Sequence, residues 1–210
     1  MSNASLNNSN NKPAQYMTDV VFDLDGSVLP NSYPFAMWEE IVMYLPWLNE
    51  EKNAGILPLK GSINDSVTLL SKRTKLVLRV SEERASDTLS LTNKHLNIEG
   101  NLLIVGSGKE RQFQASPTLH TYMVESKLDE VAFLEDMKTK LQLLNISCNL
   151  ICDKHRKISG LKQTLSGFGL VLHDLKPQAS LQIQRTGLGN FRNYGCGIFV
   201  PFKAISGLDS

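Results

Sequence analysis

The sequence predicts an α+β chain made of two ferredoxin-like (RRM-like) βαββαβ halves in tandem, with a glycine-rich loop near the C-terminus. Two observations lead there. Extended and helical periodicities alternate twice in the same order along the chain, without the sequence itself repeating. A length of 210 residues, 41% hydrophobic and 20% charged, also supplies enough apolar surface for one compact unit or two small ones in contact. The expected organisation is a disordered tail over 1–16, a first half over 17–112 and a second over 113–210.

The tail is rich in Asn and Ser and poor in large apolar groups, so it cannot bury enough surface to offset chain entropy. A strand is then expected over 20–24 and a helix over 35–44, followed by extended pieces at 56–59, 67–70 and 75–80. Ser81 reads as the N-cap of a short helix over 82–90, and 96–105 as a last strand broken by Glu99-Gly100-Asn101. One extended piece is left to spare. In the second half, 119–124 reads as a strand and 129–144 as an amphipathic helix with Val131, Leu134, Met137, Leu141 and Leu144 on its apolar face. Strands at 148–152 and 165–172, a short helix at 178–184 after Pro177 and a closing strand at 198–202 complete the round.

No run approaches the roughly 18–20 apolar residues of a membrane span, and the first residues lack a basic-then-apolar leader. A soluble cytoplasmic protein without a membrane partner is expected. Cys148, Cys152 and Cys196 are an odd number without metal-ligand spacing, which reads as reduced core thiols; no metal or other cofactor is expected. Net charge is +1, but its distribution is uneven. Residues 1–53 carry Asp19, Asp23, Asp25, Glu39, Glu40, Glu50 and Glu51 against Lys12 and Lys52, whereas 154–203 carry eight Lys and Arg against Asp174 alone. A basic C-terminal third suits a polyanionic partner.

Val20-Val21-Phe22-Asp23-Leu24-Asp25-Gly26-Ser27 resembles the opening signature of the haloacid dehalogenase phosphatases, in which a strand delivers a carboxylate nucleophile and a second carboxylate beside a magnesium ion. Such a site also needs a later acidic pair, and Asp153 and Asp174 stand singly among basic residues. The strand order also lacks the helix between nearly every pair of strands that a doubly wound parallel sheet requires. Asp23 and Asp25 then read as the polar face of an alternating strand.

The most specific local feature is the segment 184–203, Gln-Arg-Thr-Gly-Leu-Gly-Asn-Phe-Arg-Asn-Tyr-Gly-Cys-Gly-Ile-Phe-Val-Pro-Phe-Lys. Gly187, Gly189, Gly195 and Gly197 lack a Cβ, which would let backbone N–H groups approach an anion closely. Arg185, Arg192 and Lys203 add cations whose geometry suits phosphate oxygens. Phe191 and Tyr194 are candidates for stacking on an unpaired base or for packing against the sheet. A dinucleotide-binding turn would follow the first strand, whereas this loop precedes the last.

Across nearly the whole chain from Thr18, this loop, Gly55-Ile56-Leu57-Pro58-Leu59-Lys60-Gly61, the stretch 70–79 and Phe168-Gly169-Leu170-Val171-Leu172-His173 together resemble the CRISPR-associated Cas-six endoribonucleases of the RAMP superfamily, in a branch like the Myxan subtype. The resemblance implies tandem ferredoxin-like halves and binding of a CRISPR repeat RNA stem-loop. It also implies metal-independent cutting by attack of a ribose 2′-hydroxyl on the adjacent phosphate, and crRNA that stays bound within an interference (Cascade-type) complex alongside other subunits. Such chemistry needs an in-line 2′-oxygen, a base, an acid and cations for the phosphorane.

The family's histidine usually lies around or just after the first helix, yet His95, His120, His155 and His173 all lie outside 29–61, and Leu57 stands where histidine is expected. Tyr33 and Lys60 are therefore the catalytic candidates. His120 and His173 alternate with apolar residues and read as structural, and His155 sits in Lys154-His155-Arg156-Lys157, read as an exposed basic hairpin that tracks phosphates. The RNA-binding candidates are Lys72, Arg73, Arg156, Lys157, Arg185, Gly187, Gly189, Arg192, Gly195, Gly197 and Lys203. The alternatives are a non-cleaving crRNA-binding subunit and a magnesium-dependent phosphatase.

Overall fold

A computed structural model describes residues 16–202, so the expected tail, except Tyr16, and Lys203 lie outside the described residues. Strand β1 (Met17–Asp25) buries Val20, Phe22 and Leu24 on one face and exposes Asp23 and Asp25 on the other, as the alternation of residue types requires. After a short strand β2 (Val28–Pro30), helix α1 (Tyr33–Tyr44) opens on Pro34, whose fixed φ suits a first turn. Its Tyr33, Met37, Trp38 and Ile41 recur at helical spacing and are buried.

Strands β3 (Gly55–Ile56), β4 (Gly61–Asn64), β5 (Val67–Leu70) and β6 (Lys75–Ser81) follow. The spare extended piece is β5: it pairs with β2 and β4 in a small separate sheet of order β2-β5-β4. Ser81 precedes the next helical turn in extended conformation, but its hydroxyl donates to Glu51 at 3.3 Å and caps nothing. The expected helix over 82–90 is one turn, α2 (Ala85–Thr88), between two short 3₁₀ turns. The expected broken strand is instead a hairpin, β7 (His95–Ile98) and β8 (Asn101–Arg111), turned by Glu99 and Gly100 with φ of 50° and 85°. Two successive positive φ values match the twist of the flanking strands. The main sheet runs β3-β6-β1-β8-β7, with every neighbouring pair antiparallel.

The second half holds β9 (Leu119–Glu125), α3 (Glu130–Leu143), β10 (Asn149–Ser159), β11 (Thr164–His173), α4 (Pro177–Thr186) and β12 (Val200–Pro201) in a sheet of order β10-β11-β9-β12. Asp129 caps α3 by accepting from Ala132 N at 2.9 Å. The buried face of α3 is Phe133, Met137 and Leu141, while Val131 is 74% exposed, so the apolar stripe is rotated from the expected one. Lys154-His155-Arg156-Lys157 lies inside β10, and the hairpin turn comes later, where Gly160 N donates to Gln163 O at 2.9 Å. The expected closing strand shrinks to two residues because the preceding segment is held by loop contacts. One buried cluster gathers first-half residues between Val20 and Val105, and another gathers residues between Leu119 and Phe199. Cys196 is buried, which pushes its thiol up to about 12, while Cys148 and Cys152 are half-buried.

A buried arginine fixes the two sheets relative to each other. Arg79 on β6 is 2% exposed; its Nε donates to Asp19 Oδ1 at 2.8 Å and its Nη2 to Asp19 Oδ2 at 3.3 Å. Its Nη1 donates to Gln184 O and Phe199 O in the second half, both at 2.8 Å. Arg111 reaches the same Asp19 carboxylate at 2.9 Å, and the Arg79 guanidinium lies 4.4 Å from the Phe113 ring centre. The one buried carboxylate thus has two cationic partners, and the carbonyls of Gln184 and Phe199 each have a charged donor.

Candidate functional site

Between the halves lie two adjoining cavities, of about 490 and 460 Å³, which share Leu57, Pro58, Lys60 and Val200 as walls. The segment 57–60 that separates them has no regular secondary structure, yet it is fixed: Leu57 N donates to Val77 O at 2.9 Å, Leu59 N to the Tyr33 hydroxyl at 2.9 Å, and Thr74 Oγ1 to Lys60 O at 2.8 Å. These bonds satisfy a backbone that no ladder covers and leave the Lys60 side chain exposed at the shared wall. The larger cavity is also lined by Tyr33, His120, Tyr122 and Lys157, and the smaller by Arg73, Lys75 and Arg111. Of these cations, Lys75 and Arg111 are paired with Asp23 and Asp19, which leaves Lys60, Arg73 and Lys157 to favour a polyanion.

The structure brings Tyr33 and Lys60 to one cavity, as the sequence suggested, but gives Tyr33 a different task. Its hydroxyl accepts the Leu59 N–H and its side chain is 8% exposed. Burial pushes its pKa well above the ordinary tyrosine value, so the hydroxyl holds its proton and orients the backbone beside Lys60. Tyr33→Phe should lower stability by about 1–3 kcal/mol, the cost of a buried N–H left without an acceptor, as read from urea denaturation.

The glycine loop is not an open cradle. Gly187 N donates to Ile183 O at 2.8 Å, Gly195 N to Arg192 O at 2.9 Å and Gly197 N to Met123 O at 2.7 Å, so these three N–H groups are already committed. All three glycines are buried with positive φ, and a Cβ would meet Gly197 O at Gly187, Pro58 at Gly195 and Leu188 O at Gly197. Gly189 also has positive φ, with Val124 against it. Arg192 turns inward and donates to Thr186 O; its Nε, like that of Arg185, is buried without a hydrogen-bond partner among the described residues. Burial, with the Arg79 charge nearby, lowers the Arg192 pKa from its ordinary value. Arg185 lies 5.2 Å from the Tyr16 ring centre. Phe191 and Tyr194 stack on each other, and Tyr194 packs on Phe35 of α1. The loop, read from the sequence as a phosphate holder, is a brace between the halves, because glycine here makes room for neighbouring backbone.

Lys72 and Arg73 are exposed in the turn after β5. Lys157 is exposed on β10, but Arg156 folds back: its Nη2 donates to Asp153 Oδ2 at 2.6 Å, its Nη1 to Lys154 O at 3.2 Å, and its guanidinium lies 4.7 Å from the Tyr122 ring centre. Asp23 pairs with Lys75 and accepts from Ser107 at 3.1 Å, on an antiparallel strand with neighbours on both sides. Among the described residues no three His, Cys, Asp or Glu side chains gather where a metal ion could sit.

Sequence reasoning missed the pairing of His120 with Asp153, whose Nε2 and Oδ2 atoms are 3.7 Å apart. Burial lowers the pKa of His120 against the opposing pull of Asp153. Burial raises that of Asp153, but the hydrogen bonds from Arg156 and Lys154 N and the charges of Arg156 and His120 outweigh it and leave the carboxyl below its usual range. The two residues are 33 apart in sequence and are brought near each other by strand register, which no local pattern reports.

Similarity to known proteins bears on what this cleft does. A CRISPR-associated endonuclease Cas6 of Myxococcus xanthus (strain DK1622) is 29% identical over 185 residues, which is 87% of this chain and 80% of the relative. A solved structure from the characterisation of a Cas6-related gene of Pyrococcus furiosus superposes with a TM-score of 0.64 at 12% identity, covering 89% of this chain and 99% of its own. Thermus thermophilus Cse3, solved bound to an RNA representing a pre-cleavage complex, superposes with a TM-score of 0.53 at 12% identity, covering 88% of this chain and 98% of its own. These two structures establish the fold. A family model described as Cas6 Crispr matches residues 18–204, and on that span the chain belongs to the Cas6 family of CRISPR-associated proteins.

Proposed function

We propose that this protein is an endoribonuclease that binds CRISPR repeat RNA and cuts it in the cleft between its halves, by attack of a 2′-hydroxyl on the adjacent phosphate without a metal. The carrying observation is the pair of cavities that share Lys60, both lined by cations, in a chain of this family. In this reading the halves, 17–112 and 113–210, are tandem ferredoxin-like domains, which their shared strand order supports: taking β1, β3, β6 and β8 or β9, β10, β11 and β12 as first to fourth, each sheet runs 4-1-3-2. Lys60, Lys72, Arg73 and Lys157 contact the RNA backbone, and the glycine loop with Arg192 holds the cleft in shape. The product stays bound at its 3′ stem-loop within a larger interference complex.

A second reading, binding without cutting, is favoured by the apolar Leu57 at the position where a histidine is expected. Repeat RNA incubated with the protein in EDTA separates the two: a fragment ending in a 2′,3′-cyclic phosphate supports cutting, and tight binding without product supports the second. Lys60→Ala and Lys157→Ala should each weaken binding to all sequences alike and reduce the salt slope by about one. A slope unchanged in both variants would remove the cleft from the RNA path.

A further inference from the structure

Resting on that reading of the cleft as the place of cutting, we propose that His120 accepts the proton of the attacking 2′-hydroxyl, with Asp153 as its positioning residue. His120 lines the same cavity as Tyr33, Leu57, Lys60 and Lys157, so the second half supplies an imidazole to a space in which the first half presents the apolar Leu57. Its side chain is 23% exposed, so the imidazole is partly enclosed yet reachable from the cavity it lines. Strand register places Val171 of β11 on one side and Val200 of β12 on the other, and the Phe202 ring lies 5.4 Å away. The charged groups that face it are Asp153 and Arg156 from β10, with Lys157 of that strand and Lys60 of the first half in the same cavity; β11 and β12 present Val171 and Val200, and Phe202 follows β12.

Asp153 is fixed before it meets the imidazole. It accepts from Arg156 Nη2 at 2.6 Å and from Lys154 N at 2.7 Å, and its Oδ2 faces His120 Nε2. At 3.7 Å the carboxylate acts through its charge, which favours a proton on Nε2 and leaves the other ring nitrogen as the acceptor. In the step, the 2′-oxygen bonds to phosphorus while its proton passes to that nitrogen. The bond from phosphorus to the 5′-oxygen breaks, and the 5′-oxygen leaves with a proton from Lys60 Nζ. Solvent then restores both groups, and nothing is oxidised or reduced. Because burial holds the imidazole below its ordinary pKa of 6.5, it is neutral at neutral pH and ready to accept. Tyr33, whose hydroxyl stays protonated, cannot take this part.

The test is single-turnover cleavage of repeat RNA in EDTA, with saturating protein, from pH 5 to 9. Wild-type cleavage should rise with pH as the imidazole loses its proton, with a midpoint below 6.5. His120→Gln should cut about 10²–10⁴-fold more slowly and lose that limb, while binding a repeat with a 2′-deoxy nucleotide at the cut site as tightly as wild type does. Added imidazole should partly restore His120→Ala, and Asp153→Asn should move the midpoint. Circular dichroism and the binding measurement show that the variants fold. His120→Gln cutting at the wild-type rate on the same pH profile overturns the inference alone, whereas a wild-type protein that binds and never cuts overturns it together with the proposed function.

Discussion

Arg79→Met is expected to cost about 3–5 kcal/mol of stability, the range for breaking a buried ion pair from one side. The guanidinium spends its donors on both Asp19 oxygens and on Gln184 O and Phe199 O. Methionine fills similar volume but donates nothing. Asp19 would then keep Arg111, whose side chain is 53% exposed and thus a weaker partner, and two carbonyls at the junction would be left dry. The loss extends beyond stability, because Arg79 is the covalent property of one half and the hydrogen-bond donor of the other. Urea denaturation should show the lowered midpoint, and repeat RNA binding should weaken as the cleft loosens. An unfolding free energy within about 0.5 kcal/mol of wild type would mean that the loop alone holds the halves.

Gly197→Ala should be nearly as damaging. The residue has φ of 67°, which costs an L-residue about 1–2 kcal/mol, and its Cβ would overlap Leu188 O. The site cannot relax easily, since Gly197 N donates to Met123 O at 2.7 Å and Gly197 O accepts from Leu188 N at 3.1 Å. Overpacking adds about 1–3 kcal/mol, for a total near 3 kcal/mol. Gly100→Ala is the control: φ is 85°, but nothing lies within 4 Å, so the backbone cost alone should appear. Thermal unfolding of both variants measures the difference. Equal melting temperatures would mean that the loop yields, and the brace would be no brace.

The alternation of elements was legible because it is written locally. Val20, Phe22 and Leu24 alternate on β1, and Met37 and Ile41 recur on α1, and both patterns end on the buried side. Legibility failed where a choice depends on distant neighbours. The stretch 154–157 does lie in an exposed hairpin, as its polarity suggests, but the strand expected to end at 152 runs on through it past a bulge in its pairing with β11. The apolar stripe of α3 was misread because Val131 and Phe133 both fit a helical period, and the sheet beneath chose Phe133.

The site divides in the same way. Lys60 and Tyr33 could be named because they flank recognisable stretches, but the Leu59 N–H that occupies the tyrosine oxygen is visible in the fold alone. The glycines announced a special backbone without announcing what fills the space beside it. Phosphate oxygens and peptide carbonyls ask for the same vacancy, and here Gly197 O and Leu188 O have taken it. His120 and Asp153 carry no shared motif, since their meeting depends on two registers and a bulge.

Leu57, Pro58 and Lys60 belong to both hollows at once, so the molecule has a partition and not merely a floor. Any displacement of that thin divider would widen one chamber at the expense of the other. Its tethers run to Val77, Thr74 and Tyr33, which makes the relative size of the two chambers a property of the first half's own scaffold.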